Sequence, residues 1–238
     1  PFNLDLGIQQ MQLMGVRYYL ASSEQAIGAA EKDGRLIKLA DETFGSGSAD
    51  MNRWAVFEVR GIRLVEGLEN DPVVVTNAND HIDGWVYDEK RLPQTELQKE
   101  QGTPGSKSAG PAVDWFMEPL RWDVFLATSG PKSWPRAKAE AATEHRQANK
   151  AVNVSNVKLE QDSVSFDVDR TGVPVLVKVS YFPNWNVEGA AGPYRVSPNF
   201  MVVVPSDRHV ELSYGRSAAD LVGVGLSLIG LGGGRTHS

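Results

Sequence analysis

Residues 163–169 read SVSFDVD and residues 209–214 read HVELSY. In the first, Val164, Phe166 and Val168 alternate with polar neighbours; in the second, Val210, Leu212 and Tyr214 do the same. Successive side chains on a strand point to opposite faces, so a period of two makes one face apolar and the other polar. An antiparallel sheet with one face on a core carries this pattern, as in a sandwich or jelly roll. Around the two stretches, AVNVSNVKL (151–159), VPVLVKVSYF (173–182) and NFMVVV (199–204) are further short β-type runs between turn-rich segments. Residues 151–220 are therefore expected to form an antiparallel, jelly-roll-like β-sandwich.

The N-terminal third has a different grammar. GVRYYLA (15–21) is rich in strand formers, and SSEQAIGAAEKDG (22–34) follows it with Ser22 and Gln25 at capping-box spacing and Gly34 as a stop. Ala26, Ile27 and Ala30 share one helical face. LIKLAD (36–41) and RWAVFEVR (53–60) are two more strands, and PVVV (72–75) adds extended chain. Residues 1–75 are expected to form a small strand–helix–strand–strand unit with helix on sheet.

Residues 76–150 read as a loop and helical connecting segment. TNANDHIDGWVYDEK (76–90) and QKEQGTPGSKSAGP (98–111) are dominated by turn formers. WFMEPLRWDVFLATSGP (115–131) is aromatic but interrupted by Pro119, which predicts short helical pieces. SWPRAKAEAATEHRQANK (133–150) predicts a surface helix capped by Ser133, with Pro135 in its first turn. The whole is an α+β chain.

Composition narrows the partners. Net charge is -6 and no long basic run occurs, which argues against a nucleic-acid backbone. There is no cysteine, so disulfides, thiolate metal sites and cysteine nucleophiles are excluded. The chain begins at Pro1 without an export signal and reads as a piece of a longer protein. Its longest apolar run, LVGVGLSLIGL (221–231), is too short to span a bilayer. Residues 221–238 are either the stub of a transmembrane segment or a glycine-rich tail.

No catalytic constellation emerges. His81, His145, His209 and His237 are not at metal-ligand spacing, and H-E-x-x-H, G-x-S-x-G and P-loop motifs are absent from the sequence. Asp80 with Asp83, Asp88 with Glu89, and Asp167 with Asp169 are the nearest carboxylate pairs for a glycosidase. Asp167 and Asp169 flank Val168 on the outward face of a strand, where solvated charge is the ordinary outcome. NANDHIDG (77–84) looks like half of a calcium loop but lacks the closing acid, Lys90 standing there. Asn153-Val154-Ser155 matches the glycosylation sequon. No cofactor or metal is expected.

The aromatic stretch LVKVSYFPNWNVEGAAGPYR (176–195) has two readings. Trp185, Tyr181 and Tyr194, with Asn184, Arg195 and Asn199 nearby, would stack on sugar rings and bond their hydroxyls. Alternatively Tyr181 and Trp185 plug the end of the sandwich, as large aromatics do in cores. From the residues alone the second reading is favoured.

The succession SYFPNW, GPYRVSPNFMVVVP and HVELSYG, followed by a glycine-spaced apolar run, resembles the C-terminal extracytoplasmic region of large bacterial multispanning membrane proteins. These are the YfhO-type and 6-pyruvoyl-tetrahydropterin synthase-related membrane families. GVRYYLA and WAVFEV resemble the segment where such proteins re-emerge from the membrane. The VPVLVKVSYFPNW, VDWF and GPKSWPR blocks resemble actinobacterial versions. Asn184 stands where the family usually has glycine, and Ser206-Asp207-Arg208 replaces its small-Gly turn before His209.

The resemblance implies an outward-facing domain on the extracytoplasmic side of the cytoplasmic membrane, tethered by transmembrane helices. Its relatives look like glycosyltransferases that take sugars from polyprenyl-phosphate donors, with catalytic acids near N-terminal transmembrane helices rather than in this piece. The implied role is non-catalytic: binding or orienting a cell-envelope glycan, at Trp185, Tyr181, Tyr194, Asn184 and Arg195. A structural domain that docks its own transmembrane region or envelope proteins is the first alternative. A glycan hydrolase using a carboxylate pair is the second.

Overall fold

The computed structural model describes residues 2–44, 52–78, 85 and 110–215. Asp80, Asp83, Asp88, Glu89, His81, most of the loop at 98–111 and all of 221–238 lie outside the described residues. The chain has a mixed α+β fold in which strands dominate. It divides into two compact units, Pro1–Leu64 and Val65–Ser238.

The first unit opens with α1 (Leu4–Met14), which the strand signals further along gave no reason to expect. Asn3 caps it by accepting from the Leu6 amide at 3.1 Å, and Gly15 ends it in the left-handed conformation at φ 70°. β1 (Tyr18–Ala21) and α2 (Glu24–Ala30) follow. The α2 cap is Ser23, whose Oγ accepts from the Ala26 amide at 3.2 Å, one residue later than the capping-box spacing predicts. β2 (Leu36–Phe44) and β3 (Asn52–Val59) complete an antiparallel sheet of order β1-β3-β2. Ile8 and Ile27 from the helices meet Ala21, Leu36, Ala55, Phe57 and Val59 from the strands in one core. Burying that face is what holds helices this short, since neither would persist alone in water.

Among the described residues the second unit has two sheets. The larger draws on β4 (Val65–Gly67), β5 (Val73–Val75), β6 (Leu126–Ala127), β7 (Arg136–Ala137), β10 (Val175–Val177), β12 (Ala190–Val196) and β13 (Phe200–Pro205), in the order β4-β10-β13-β12-β6-β5-β7. Its pairings are antiparallel except that β5 lies parallel to β6 and to β7. The smaller contains β8 (Val154–Leu159), β9 (Ser163–Val168), β11 (Trp185–Glu188) and β14 (His209–Tyr214), antiparallel in the order β11-β14-β9-β8. β9 alternates as expected, with Val164, Phe166 and Val168 buried; β14 does so through Val210 and Leu212, but Tyr214, expected on the same buried face, is exposed at the strand's end.

Further expectations need correction. The boundary after residue 75 moves to Leu64, because β4 and β5 are hydrogen-bonded into a sheet completed by later strands. For the same reason residues 151–220 are not self-contained. The helix expected at 133–150 does not form. Pro135 and Ala137 carbonyls instead accept from Val74 and Thr76 amides at 2.9 Å, tying this stretch to β5, and only a 3-10 segment, Ala139–His145, follows. Trp134, expected on a polar surface helix, is buried.

Among the described residues, the middle also holds α3 (Pro111–Met117) and a 3-10 turn, Pro119–Arg121. Trp115 anchors α3: it is fully buried, its Nε1 donates to the Val124 carbonyl at 2.8 Å, and its ring lies 5.0 Å from that of Phe125. β11 and β12, read from the sequence as turn, are strands. β12 accommodates a cis Gly192–Pro193 peptide where its register against β13 shifts.

Candidate functional site

The outward face of the four-stranded sheet is where polar side chains gather. On β9, Ser163, Ser165 and Asp167 alternate with the buried residues; on β14, His209, Glu211 and Ser213 do so. The register sets His209 opposite Asp167 and Glu211 opposite Ser165. β8 runs along the other edge of β9, with Ser155 opposite Asp167 and Lys158 opposite Ser165.

Between Ser155 and Lys158 the register shifts by a bulge. Asn156 sits there at φ 52°, a left-handed conformation that asparagine tolerates better than most residues with a side chain. The bulge turns its amide toward β9, where Nδ2 donates to Asp167 Oδ2 at 2.7 Å. The other oxygen, Asp167 Oδ1, lies 2.6 Å from His209 Nδ1. These two contacts, the Asn156 bond first, hold the Asp167 carboxyl below the usual carboxylate range. An ionised carboxylate only accepts, so Nδ1 of His209 carries the proton in this contact and Nε2 faces away from it. His209 is two-thirds exposed.

Asn156, Val157, Lys158, Ser165, Asp167 and His209 line a concavity of about 370 Å³ that is open to solvent. That volume matches a small ligand such as one sugar ring. The lining offers an ammonium, a hydroxyl, an imidazole, an amide and one carboxylate. It suits hydrogen bonding to a ligand rich in hydroxyls. Two-carboxylate glycoside chemistry needs a second acid facing the first across roughly 5–10 Å, and Asp167 is the only acid of this lining. Asp169, its partner in the sequence reading, is engaged elsewhere. Its carboxylate accepts from the Asn153 backbone amide at 2.8 Å and from Asn153 Nδ2 at 2.7 Å. The same bond occupies the sequon's amide nitrogen.

The five residues expected to bind sugar fall into three places. Trp185 opens β11, donates through Nε1 to the Ser180 carbonyl at 3.2 Å, and packs edge-on against Tyr214 at 5.3 Å. Asn184 sits beside it, its Nδ2 donating to the Gly215 carbonyl at 3.2 Å while its own carbonyl accepts from the Gly215 amide at 3.1 Å. Tyr181 and Arg195 meet in a second cluster. The Arg195 guanidinium lies 5.9 Å from the Tyr181 ring centre and 5.8 Å from that of Trp85, and its Nε donates to Asn199 Oδ1 at 2.8 Å. Arg195 and Trp85 are buried there. Tyr194, next to Arg195 on β12, packs edge-on against Trp134 at 5.2 Å. Neighbours on a strand face opposite ways, which separates Tyr194 from Arg195.

None of the five lines the concavity. Sequence reasoning passed over Asn156, Lys158, Ser165 and His209 as site residues and read Asp167 as solvated charge. The available signal was the polar half of the alternation in SVSFDVD and HVELSY, which marks one outward face. Among the described residues no group of three or more His, Asp or Glu side chains is placed to hold a metal ion. Among them, too, no helix is long and apolar enough to cross a membrane. No family model, curated protein or solved structure matches this chain.

Proposed function

We propose that this chain is a non-catalytic extracytoplasmic domain of a polytopic cell-envelope membrane protein, and that it holds a glycan at the concavity on the four-stranded sheet. On this reading the seven- and four-stranded sheets are the layers of a β-sandwich. The bound sugar is presented to a glycosyltransferase that uses polyprenyl-phosphate donors. One observation carries the glycan part: five hydrogen-bonding side chains from three strands converge on a space of sugar-ring size. Placing the whole on the outer side of the cytoplasmic membrane rests on the motif order of the sequence.

Titration calorimetry with fragments of envelope polysaccharides tests the glycan part. Binding is expected, and Asp167→Asn and Lys158→Ala are each expected to weaken it about tenfold, the worth of one hydrogen bond to a charged group. No binding to any fragment, or binding indifferent to both substitutions, overturns the assignment.

A second reading, protein docking, is favoured by the outward face of the three-stranded sheet, where Tyr18, Leu20 and Trp54 are exposed. Exposed apolar residues grouped on one sheet face are typical of interaction surfaces. The partner is then the protein's own transmembrane region or another envelope protein.

A further inference from the structure

One end of the four-stranded sheet carries an aromatic group that the concavity does not use. Phe182 and Tyr214 are each about half exposed, at 52% and 42%, and Trp185 is partly so. Their rings form one cluster: Trp185 and Phe182 both pack edge-on against Tyr214, at 5.3 and 6.3 Å. Rings that closed off a core would be buried. These instead keep one side in solvent, and residues 180–187, SYFPNWNV, carry no charge around them.

The cluster also lies beside residue 215, where the described residues end. Tyr214 ends β14, and Gly215 is held by its two hydrogen bonds to Asn184, one residue from Trp185. Six residues beyond Gly215 the sequence enters the apolar run 221–231. Six residues reach at most about 20 Å, so whatever surface takes up that run lies within a short distance of the three rings. Tryptophan and tyrosine concentrate at the headgroup level of membranes, where a ring is half in apolar surroundings and half wet.

We propose that Phe182, Trp185 and Tyr214 seat this end of the sheet in the headgroup layer of a bilayer. The inference rests on the reading of the chain as membrane-tethered and adds a contact surface to it. Because residues 180–187 carry no basic side chain, Asp162 borders Tyr214 through a backbone hydrogen bond of 2.7 Å, and the chain carries a net charge of -6, the matching surface is zwitterionic lipid rather than anionic lipid.

The test uses the full chain with a hexahistidine tag after Ser238, bound to phosphatidylcholine vesicles containing a nickel-chelating lipid and acyl-brominated phosphatidylcholine. Subtracting the emission of Trp185→Phe isolates Trp185. Bromolipid is expected to quench that component, and Phe182→Ser with Tyr214→Ser is expected to abolish the quenching. Without the nickel lipid, each ring removed is expected to weaken vesicle partition about tenfold through lost apolar contact. A Trp185 that stays unquenched by bromolipid and open to aqueous acrylamide while the chain is tethered overturns the proposal. So does stronger partition of the untagged chain into phosphatidylglycerol than into phosphatidylcholine. The wild-type quenching decides the matter even where the double variant does not fold.

Failure of the tethering itself reads out separately, in flotation of the untagged chain. If flotation requires Leu226, Leu228 and Ile229 but Trp185 is unquenched, the anchored reading stands and the aromatic seat falls. If Trp185 is quenched on tethered vesicles but flotation ignores those three residues, the seat stands and the anchor at 221–231 falls.

Discussion

The three-stranded sheet of the first unit and the four-stranded sheet of the second each bury one face, yet they leave very different faces open. On the first, Tyr18, Leu20 and Trp54 point outward from β1 and β3, opposite the buried Ala21, Ala55 and Phe57. On the second, the outward positions are Ser165, Asp167, His209 and Glu211. Both sheets therefore satisfy the same backbone rule with opposite chemistry. A polar open face needs only water and invites ligands with hydroxyls. An apolar one leaves hydrophobic surface in water, at about 25 cal/mol per Å², until something covers it.

The largest expected effects come from the buried sides. Phe57 and Phe166 are both fully buried, in separate units, and each substitution by alanine should cost about 3–5 kcal/mol. Hydrogen exchange read by mass spectrometry should show Phe57→Ala releasing amides of residues 4–59 while strands β9 and β14 keep their protection, and Phe166→Ala the reverse. Simultaneous loss in both would show that the two cores unfold as one.

Acid should remove stabilising carboxylate contacts in both units. Asp33 is held down at about 2 by its hydrogen bonds to Arg35, and Asp41 is held below its usual range by Arg53 and Lys38. Asp167 is depressed by Asn156 and His209. Depressed carboxyls contribute stability that is complete above their unfolded values and is lost as pH falls through their folded ones. Thermal unfolding temperatures should therefore fall between about pH 4 and pH 2. Asp33→Asn should flatten that fall for the first unit and leave the second unchanged.

The smallest effects belong to the open faces. Leu20→Ser should shift stability by no more than about 0.5 kcal/mol while reducing concentration-dependent association in sedimentation. Glu211 lies directly opposite Glu188 across β14 and β11. Glu211→Gln, which relieves like charges facing each other, should stabilise by a few tenths of a kcal/mol. A large loss from either substitution would mean that its open face is covered in the native molecule.

What the sequence disclosed follows the reach of local patterns. β9, most of β14 and the buried face of α2 were legible because period-two and period-3.6 signals sit inside single stretches. α1 is faint in the sequence although Asn3 and Gly15 bracket it, because Ile8 is its one buried residue and no strong apolar face marks it. β12 was hidden by Gly192 and Pro193, residues that weaken a strand signal and here occupy a register shift. At 133–150 good helix formers lost to tertiary pairing: two residues, Arg136 and Ala137, are enough to join a parallel strand and too few to show a period. The concavity was illegible for a related reason. Its members come from β8, β9 and β14, and only the pairing register and the bulge at Asn156 bring them together.

The order of strands in the larger sheet has a practical side. β4 and β5 are made early, yet β4 finds its neighbour only when β10 has been synthesised more than a hundred residues later, and β10 in turn pairs with β13. During translation the early strands wait with open edges, a slow and aggregation-prone interval for any fold of high contact order. A shortened version beginning near residue 151 would be born without β4, β5, β6 and β7, and should precipitate rather than yield a smaller working piece.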